Sequence, residues 1–430
     1  MSKVDSKDII NSVIKEVDSS YKNVLNLYER SQLDTNPLHY DFVSNYPALT
    51  ALKQFDNNTD FIVSKNNNIG IYIHFPFCDF KCDYCYFVSI KKYDSSLIQK
   101  YIDALKKEIL FYSKKLNNTT VSYIYFGGGT PTAIAKEYLE VIVNYIHKSF
   151  KISDDIEFTC EGSPNTLNED IVLFLSNLGI NRISFGVQSF DSIVLSKMKR
   201  CHSKEQINNV IDILHKYFPL NFNADFIFGH YSSRKDVLIK DLEKLENLQL
   251  PSVTFYQIWF NNTTVAQSLS SNIKFENLLY QRLCISVFMN RLNYINDKSD
   301  WYIKDKNAKF RFQDHKWGNN DFIAIGVSSY GYINGTLYKN TLSINDYLTM
   351  VDKNNSGISF SYNLNKQEIE KRRICLGLKM NKETEYIKNN DDIQPFIDML
   401  IDNQLLKQTD NQIKLSYEGF LMSDLILKNI

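Results

Sequence analysis

The sequence has no long hydrophobic run and no excess of charge of either sign. No apolar stretch reaches the roughly 18 residues of a membrane-spanning helix. The first residues, Met1-Ser2-Lys3-Val4-Asp5, lack the apolar segment of a signal peptide. Lysine plus arginine and aspartate plus glutamate both number 49, so the net charge is zero. We therefore expect a cytoplasmic protein with neither a membrane partner nor a nucleic-acid partner.

Cysteine is also sparse. Seven cysteines in 430 residues is an odd number, which favours reduced thiols over a disulfide framework. Four of them stand apart and are expected to be small buried hydrophobic residues: Cys160, Cys201, Cys284 and Cys375. The other three lie together in the segment Cys78-Asp79-Phe80-Lys81-Cys82-Asp83-Tyr84-Cys85. This segment is the first candidate for a functional site.

The three clustered thiols have the character of a metal centre. Thiolates are soft ligands that suit iron–sulfur clusters or zinc. Three thiolates from one loop leave a coordination position open, and an open position is where a substrate enters. A zinc site that adds His74 is the alternative, but His74 lies within an alternating strand pattern and not at a zinc-finger spacing. The spacing predicts a reactive cluster on Cys78, Cys82 and Cys85.

From residue 69 onwards, short runs rich in β-branched and aromatic residues alternate with amphipathic segments. The predicted strands are 69–75, 122–126, 155–160, 180–185, 222–228 and 253–259. The predicted helices are 135–149, 168–178, 204–217 and 235–248, with a crossover helix whose apolar positions run from Leu97 to Ile109. Parallel strands need such crossovers, so six βα units predict a parallel, barrel-like α/β fold. Its functional groups should gather at the C-terminal ends of the strands.

The cysteine spacing and the residues before it resemble the radical SAM superfamily, in which CxxxCxxC holds a 4Fe-4S cluster that S-adenosylmethionine (SAM) chelates. The segment Tyr72-x-His74-x-Pro76-Phe77-Cys78 is similar to the branch of oxygen-independent coproporphyrinogen III oxidase, which also contains heme chaperones and methyltransferases. The resemblance implies a partial (β/α)6 barrel and reductive cleavage of SAM to a 5'-deoxyadenosyl radical. It also implies a small-molecule organic substrate and an electron donor such as flavodoxin or ferredoxin.

Segments that follow the predicted strands resemble the SAM-binding elements of this branch. Gly127-Gly128-Gly129-Thr130-Pro131-Thr132 lacks the GK[ST] ending of a P-loop and is similar to the element that contacts the methionine moiety. The resemblance places SAM contacts at Tyr72, Tyr84, Phe87, Gly128, Gly129, Thr130, Glu161, Gln188, Arg200 and Asp225. Tyr72 and Arg200 are also assigned catalytic roles. The structural alternatives are packed aromatics, a glycine turn, a core amide and solvated charges.

Two departures separate the chain from the heme-handling members of the branch. Phe87 stands where the oxidase has a further cysteine. Heme chaperones carry HNxxYW before a D-x-x-G-I-G segment, and here Phe312 and Lys316 replace its histidine and tyrosine. His315 is a possible substitute ligand, although a lone histidine beside tryptophan is more often structural.

The resulting hypothesis is hydrogen abstraction from an organic substrate or from a second SAM molecule, leading to methyl or alkyl transfer or to oxidation. The alternative is a heme-binding carrier that keeps the cluster without turnover.

Four regions are expected. Residues 1–68 form an N-terminal extension that packs on the core, and 69–262 form the partial barrel. By resemblance, 263–365 close the barrel and border the substrate. Residues 366–430 form a small helical, winged-helix-like cap with a hairpin around Asp410-Asn411.

Overall fold

Six parallel strands form the centre of the fold in a computed structural model that describes residues 6–33, 45–82, 84–229, 235–258, 274–386 and 392–430. They are β2 (Asn68–Phe75), β3 (Thr120–Gly128), β4 (Lys151–Gly162), β5 (Arg182–Gln188), β6 (Phe222–Phe228) and β7 (Ser252–Gln257), paired in this order. The helices between them are α2 (Ser95–Lys115), α3 (Lys136–Ser149), α4 (Glu169–Asn177), α5 (Ser192–Lys197), α6 (Lys204–Tyr217) and α7 (Lys235–Leu248). The predicted strands and helices are confirmed, except that residue 259 lies outside the described residues.

The two faces of this sheet differ in character, because successive side chains of a strand point to opposite sides. Ile71 and Ile73 on β2 are fully buried in the main apolar core, which includes residues of the surrounding helices. Their neighbour Tyr72 packs on a second apolar cluster. Tyr72 lies beside Tyr125 of β3 in the parallel register, and the two rings stack at 5.8 Å. We call this second side the inner face of the sheet.

Further strands extend the sheet at both ends. β9 (Trp301–Ile303) pairs antiparallel with β7, and β8 (Ile295–Lys298) pairs with β9. At the other end β10 (Phe322–Ile325) pairs parallel with β2, followed by β11 (Tyr330–Ile333), β12 (Thr336–Asn340), β13 (Ile358–Asn363) and β1 (Lys53–Gln54). Thirteen of the described strands form one sheet, whose order runs from β1 at one end to β8 at the other, which agrees with the predicted partial barrel.

The N-terminal helix α1 (Ser6–Ser31) packs on α8 (Phe275–Arg291). The rings of Tyr28 and Phe275 lie 4.6 Å apart, and the Tyr280 hydroxyl donates a hydrogen bond to Asp18 at 2.8 Å. The expectation that this extension packs on the core is confirmed for the described residues.

The C-terminal part is a small helical unit with its own sheet. It contains α11 (Lys366–Lys379), α12 (Gln394–Asp402), α13 (Tyr417–Leu421) and α14 (Ser423–Leu427), which follow α9 (Arg311–Trp317) and α10 (Ile344–Asn354). Its strands are β14 (Thr384–Glu385), β15 (Leu406–Thr409) and β16 (Gln412–Leu415). The predicted hairpin is confirmed, with Asp410 in the left-handed conformation that its turn requires. The four region boundaries and the winged-helix likeness stay predictions.

Among the helices of the described residues, none combines the length and the apolar character that crossing a bilayer requires.

The carboxylate of Glu108 on α2 ties this helix to the strands that extend the sheet. It is fully buried. One oxygen accepts from the backbone N–H of Gly326 at 2.9 Å and from the Tyr347 hydroxyl at 2.7 Å. The other accepts from Asn340 Nδ2 and from the backbone N–H of Gly357, both at 3.0 Å. Four donors from four segments between Gly326 and Gly357 therefore depend on one side chain.

We expect Glu108→Gln to lower the free energy of unfolding by about 2 kcal/mol, because the amide nitrogen would face two donors that lose their acceptor. Urea unfolding measures this difference. The matched control is Glu140→Gln on the exposed side of α3, which should change stability by less than about 0.5 kcal/mol. Equal values for the two variants would contradict the assignment.

Candidate active site

The cysteine loop follows the C-terminal end of β2, and backbone hydrogen bonds hold its two ends together. The backbone N–H of Cys78 donates to the Ile90 carbonyl at 3.1 Å, and the N–H of Ile90 donates to the Pro76 carbonyl at 2.6 Å. A further turn brings the N–H of Cys85 to 3.2 Å from the Cys82 carbonyl. All three thiols are partly exposed, in contrast to Cys160, Cys284 and Cys375, which are buried as expected. Cys201 is exposed, so the expectation that it is buried is wrong.

The three thiols lie near one another. Burial raises the pKa of Cys78 to about 11, and the charges of Cys85 and Cys82 raise it further, while Thr130, whose hydroxyl lies 3.6 Å from Cys78 Sγ, lowers it. Yet among the described residues no three His, Cys, Asp or Glu side chains are close enough to hold one metal ion. Cysteines of an iron–sulfur cluster bind different irons and so need not share an ion. Three partly exposed soft donors from one loop therefore fit a cluster.

The alternative zinc site would need His74 as a ligand. His74 is buried, and burial lowers its pKa to about 4, so the ring is neutral. Its Nε2 lies 3.0 Å from the Val88 carbonyl and its Nδ1 lies 3.1 Å from the Tyr72 hydroxyl. Both ring nitrogens are occupied, and the structure therefore gives no support to zinc. The side chain positions Tyr72 instead.

The glycine segment after β3 lies directly on the cysteine loop. The backbone N–H of Gly129 donates to the Phe75 carbonyl at 2.7 Å, and that of Thr130 donates to the Phe77 carbonyl at 2.9 Å. A Cβ atom at Gly129 would lie 2.7 Å from the Phe77 carbonyl oxygen and 3.0 Å from Cys78 Sγ. Only glycine permits this approach between the two loops.

Two carboxylates lie on the inner face: Glu161 near the C-terminal end of β4 and Asp225 in the middle of β6. Glu161 accepts from the Tyr125 hydroxyl at 2.5 Å and from the backbone N–H of Gly128 at 3.1 Å. Asp225 accepts from Ser184 Oγ at 3.1 Å and from Asn223 Nδ2 at 2.8 Å. Burial raises the pKa of Glu161 to about 7 and that of Asp225 to about 6. Both acids can therefore exchange a proton near neutral pH.

Arg200 lies beside the cysteine loop. Its guanidinium is 6.0 Å from the ring of Tyr84 and 5.9 Å from the ring of Phe80. Nη2 is 3.5 Å from the Gly186 carbonyl, and the buried Nε has no hydrogen-bond partner. A buried donor without an acceptor next to three thiols is suited to an anionic group of a ligand.

Gln188, the last residue of β5, adopts a left-handed conformation with φ of 69°. A Cβ atom at Gly186 would lie 2.3 Å from Gln188 Nε2 and 2.4 Å from Arg200 Nη2. The glycine thus lets both polar side chains lie against the strand. Phe87 is 41% exposed and packs on Tyr86 at 4.4 Å, at the rim of the site.

The structure brings most predicted site residues to one edge of the sheet, with Phe87 at the rim. Their individual roles stay predictions. Two inner-face residues were missed by sequence reasoning. Tyr125, which holds Glu161, carries no motif signal. Arg182, the first residue of β5, is 3% exposed, its guanidinium lies 4.3 Å from the Phe310 ring centroid, and its Nη2 has no hydrogen-bond partner.

The segment that replaces the heme-chaperone signature lies on the inner face. Phe312 is buried, and its ring stacks on Tyr125 at 5.6 Å. His315 Nε2 lies 2.8 Å from the Asp321 carbonyl, which supports the structural role expected of it. Lys316 Nζ donates to the Tyr330 hydroxyl at 2.5 Å.

Known proteins share both the sequence pattern and the fold. The family model described as Radical SAM superfamily matches residues 72–242. A protein named heme chaperone HemW, from Buchnera aphidicola subsp. Schizaphis graminum, is 30% identical over 287 residues, 65% of this chain and 76% of that protein. An oxygen-independent coproporphyrinogen III oxidase from Helicobacter pylori is 26% identical over 342 residues, 74% of each protein.

A solved structure agrees with the predicted fold. The Escherichia coli coproporphyrinogen III oxidase HemN, described as a radical SAM enzyme, matches with a TM-score of 0.78 over 93% of this chain and 99% of that chain, at 18% identity. This likeness confirms the α/β fold with its parallel-strand sheet. The chain therefore belongs to the radical SAM superfamily, in the branch of HemW and oxygen-independent coproporphyrinogen III oxidase, and the predicted 4Fe-4S cluster and SAM are the cofactors of that superfamily.

Proposed function

We propose that the chain is an enzyme that cleaves SAM reductively to a 5'-deoxyadenosyl radical, which abstracts hydrogen from an organic substrate. The observation that carries this proposal is the convergence of three partly exposed thiols with Glu161 and Arg200 at one edge of the sheet. Cys78, Cys82 and Cys85 would hold the cluster. When bound, the cluster supplies the electron that breaks the sulfonium bond of SAM.

The protein residues bind and orient SAM and exclude water. Arg200 offers an unpaired donor to the SAM carboxylate. The glycine segment presents its backbone close to the cysteine loop, where the methionine moiety would lie. Glu161 and Asp225 provide negative charge opposite the cationic groups of SAM. The aromatic inner face around Tyr72 and Tyr125 limits the access of water to a reactive radical.

Methyl or alkyl transfer, with a second SAM molecule as donor, is the preferred outcome, and oxidation is the other. The proposed partners are a small organic substrate and a cytoplasmic electron donor such as flavodoxin or ferredoxin. We propose neither a nucleic-acid partner nor a membrane partner, because the net charge is zero.

Product analysis tests the proposal. The anaerobically reconstituted protein is reduced and supplied with SAM, and the products are separated by chromatography. We expect 5'-deoxyadenosine, joined by S-adenosylhomocysteine if methyl transfer follows. The absence of both products from a protein with full iron content would contradict the proposal.

A heme-binding carrier is the second candidate, because several curated relatives are named heme chaperone HemW. At the place of the chaperone histidine this chain has Phe312, which is buried among aromatic rings and cannot bind iron. We therefore expect no tight stoichiometric heme binding. A one-to-one Soret shift in a heme titration, together with no SAM cleavage, would favour the carrier.

The affinity for SAM should depend on pH through Glu161. Its pKa is about 7 because of burial, and only the ionised form attracts a cationic ligand. We expect the affinity to increase as the pH rises from about 6 to about 8, measured by calorimetry. Glu161→Gln should remove this dependence and leave only that of Asp225, near pH 6. An unchanged pH profile in the variant would contradict the role of Glu161.

A further inference from the structure

Three hydrogen-bond donors converge on the inner face at β11 and β12. Lys316 reaches Tyr330 from α9, with Nζ 2.5 Å from the hydroxyl oxygen. Lys339 lies directly opposite Tyr330 in the antiparallel register, so the two side chains are neighbours on one face of the sheet. All three residues are partly buried.

These donors have no anionic partner. Among the ion pairs of the described residues, none includes Lys316 or Lys339. An ammonium can only donate, so the Tyr330 oxygen acts as acceptor from Lys316 and its own hydrogen remains available. Among the hydrogen bonds of the described residues, none has the Tyr330 hydroxyl as donor. Two partly buried ammonium groups thus adjoin one hydroxyl, and no carboxylate of the described residues pairs with either of them.

Aromatic rings adjoin this cluster on the inner face. Lys316 Nζ lies 4.7 Å from the Tyr330 ring centroid and 5.7 Å from that of Phe322. Tyr72 is close enough to Tyr330 for the latter to contribute to its raised pKa, although burial is the larger cause. Tyr72 in turn stacks on Tyr125, which holds Glu161. A row of aromatic side chains therefore connects the donor cluster with the candidate SAM-binding acids.

We propose that Lys316, Lys339 and Tyr330 bind a carboxylate of the substrate, and that the substrate is a planar, unsaturated organic acid. This rests on the proposed function, since it names the substrate class of the same site. A carboxylate accepts hydrogen bonds at both oxygens, which matches two ammonium groups and one hydroxyl. Flat rings pack against the stacked tyrosines beside it. The carboxylate would then be bound at β11 and β12 while the rest of the molecule extends toward the cysteine loop.

A binding experiment tests this without the cluster and without SAM, so its failure would leave the radical reaction untouched. The lysines of the full chain are reductively methylated with 13C-formaldehyde, which preserves their charge. The signals of Lys316 and Lys339 are assigned by Lys→Arg variants. Benzoate is the probe, benzamide is its neutral counterpart, and inorganic phosphate tests the other common anion. We expect both signals to move with benzoate more than with benzamide or phosphate.

Substitutions of the two lysines test whether they bind the carboxylate. Lys316→Met and Lys339→Met should each weaken benzoate binding about tenfold, as expected for a lost charged hydrogen bond. Lys353→Met, on the exposed end of α10, should leave it unchanged. Equal shifts with benzoate and benzamide, or shifts at Lys353 as large as those at the two site lysines, would overturn the proposal. A larger response to phosphate would overturn the choice of carboxylate.

Discussion

Cys82→Ala is expected to abolish the 4Fe-4S cluster and, with it, all SAM cleavage. Cys82 belongs to the one loop in the described residues where three partly exposed thiols lie together. Thiolates from a single loop bind such a cluster jointly, so the loss of one leaves an iron without its protein ligand. Iron and sulfide content, the visible absorption after anaerobic reconstitution and the yield of 5'-deoxyadenosine measure the effect.

Two buried cysteines provide matched controls. Cys284 and Cys160 are 1% and 0% exposed and pack in the main core, so their replacement by alanine costs packing and leaves the cluster in place. Cys284→Ala should retain full iron content and SAM cleavage. If Cys82→Ala also retained both, the assignment of the cluster to this loop would be wrong.

The strands could be predicted from sequence because their pattern is local. Each strand combines β-branched and aromatic residues within a short run, and each crossover helix has an apolar stripe. The periodicity of segments such as 70–126 or 204–228 is therefore enough to assign their strands and helices. The strands that extend the sheet are harder to predict. β10 pairs with β2, more than 200 residues earlier in the chain, and no local pattern encodes such a pairing.

The residues of the candidate site also fall into those that a local pattern predicts and those that only the fold brings together. Cys78, Cys82 and Cys85 are close together in sequence, Glu161 lies near the end of β4 and Asp225 lies within β6, and each of them stands in a recognisable motif. Tyr125 was missed because its role depends on contact with Glu161, 36 residues away. Lys339 and Tyr330 become neighbours only through the pairing of β11 and β12. The role of a carboxylate or thiol in a motif can be predicted from sequence. The role of a tyrosine or lysine depends on which residues the fold places beside it.

Arg200 follows α5, beyond the end of β5, where sequence alone leaves a surface charge as the ordinary alternative. The structure argues against that alternative, because the buried Nε lacks a partner and the guanidinium lies near Tyr84 of the cysteine loop. The surroundings of Arg200 supply aromatic faces and a carbonyl, and none of the ion pairs among the described residues joins it to a carboxylate. A charged group in this position is suited to a ligand that brings the missing anion.

We expect Arg200→Ala to weaken SAM binding by about 1.5–3 kcal/mol, the contribution of a hydrogen bond to a charged group. Calorimetry with the reconstituted protein measures this, and Arg200→Lys should recover part of the loss because it keeps the charge without the planar fork. The control is Arg291→Ala, which removes an arginine that pairs with Glu16 on the N-terminal helix and should leave the affinity unchanged. Unaltered SAM affinity in both Arg200→Ala and Asp225→Ala would show that the two residues do not bind the ligand. They would then serve the fold alone.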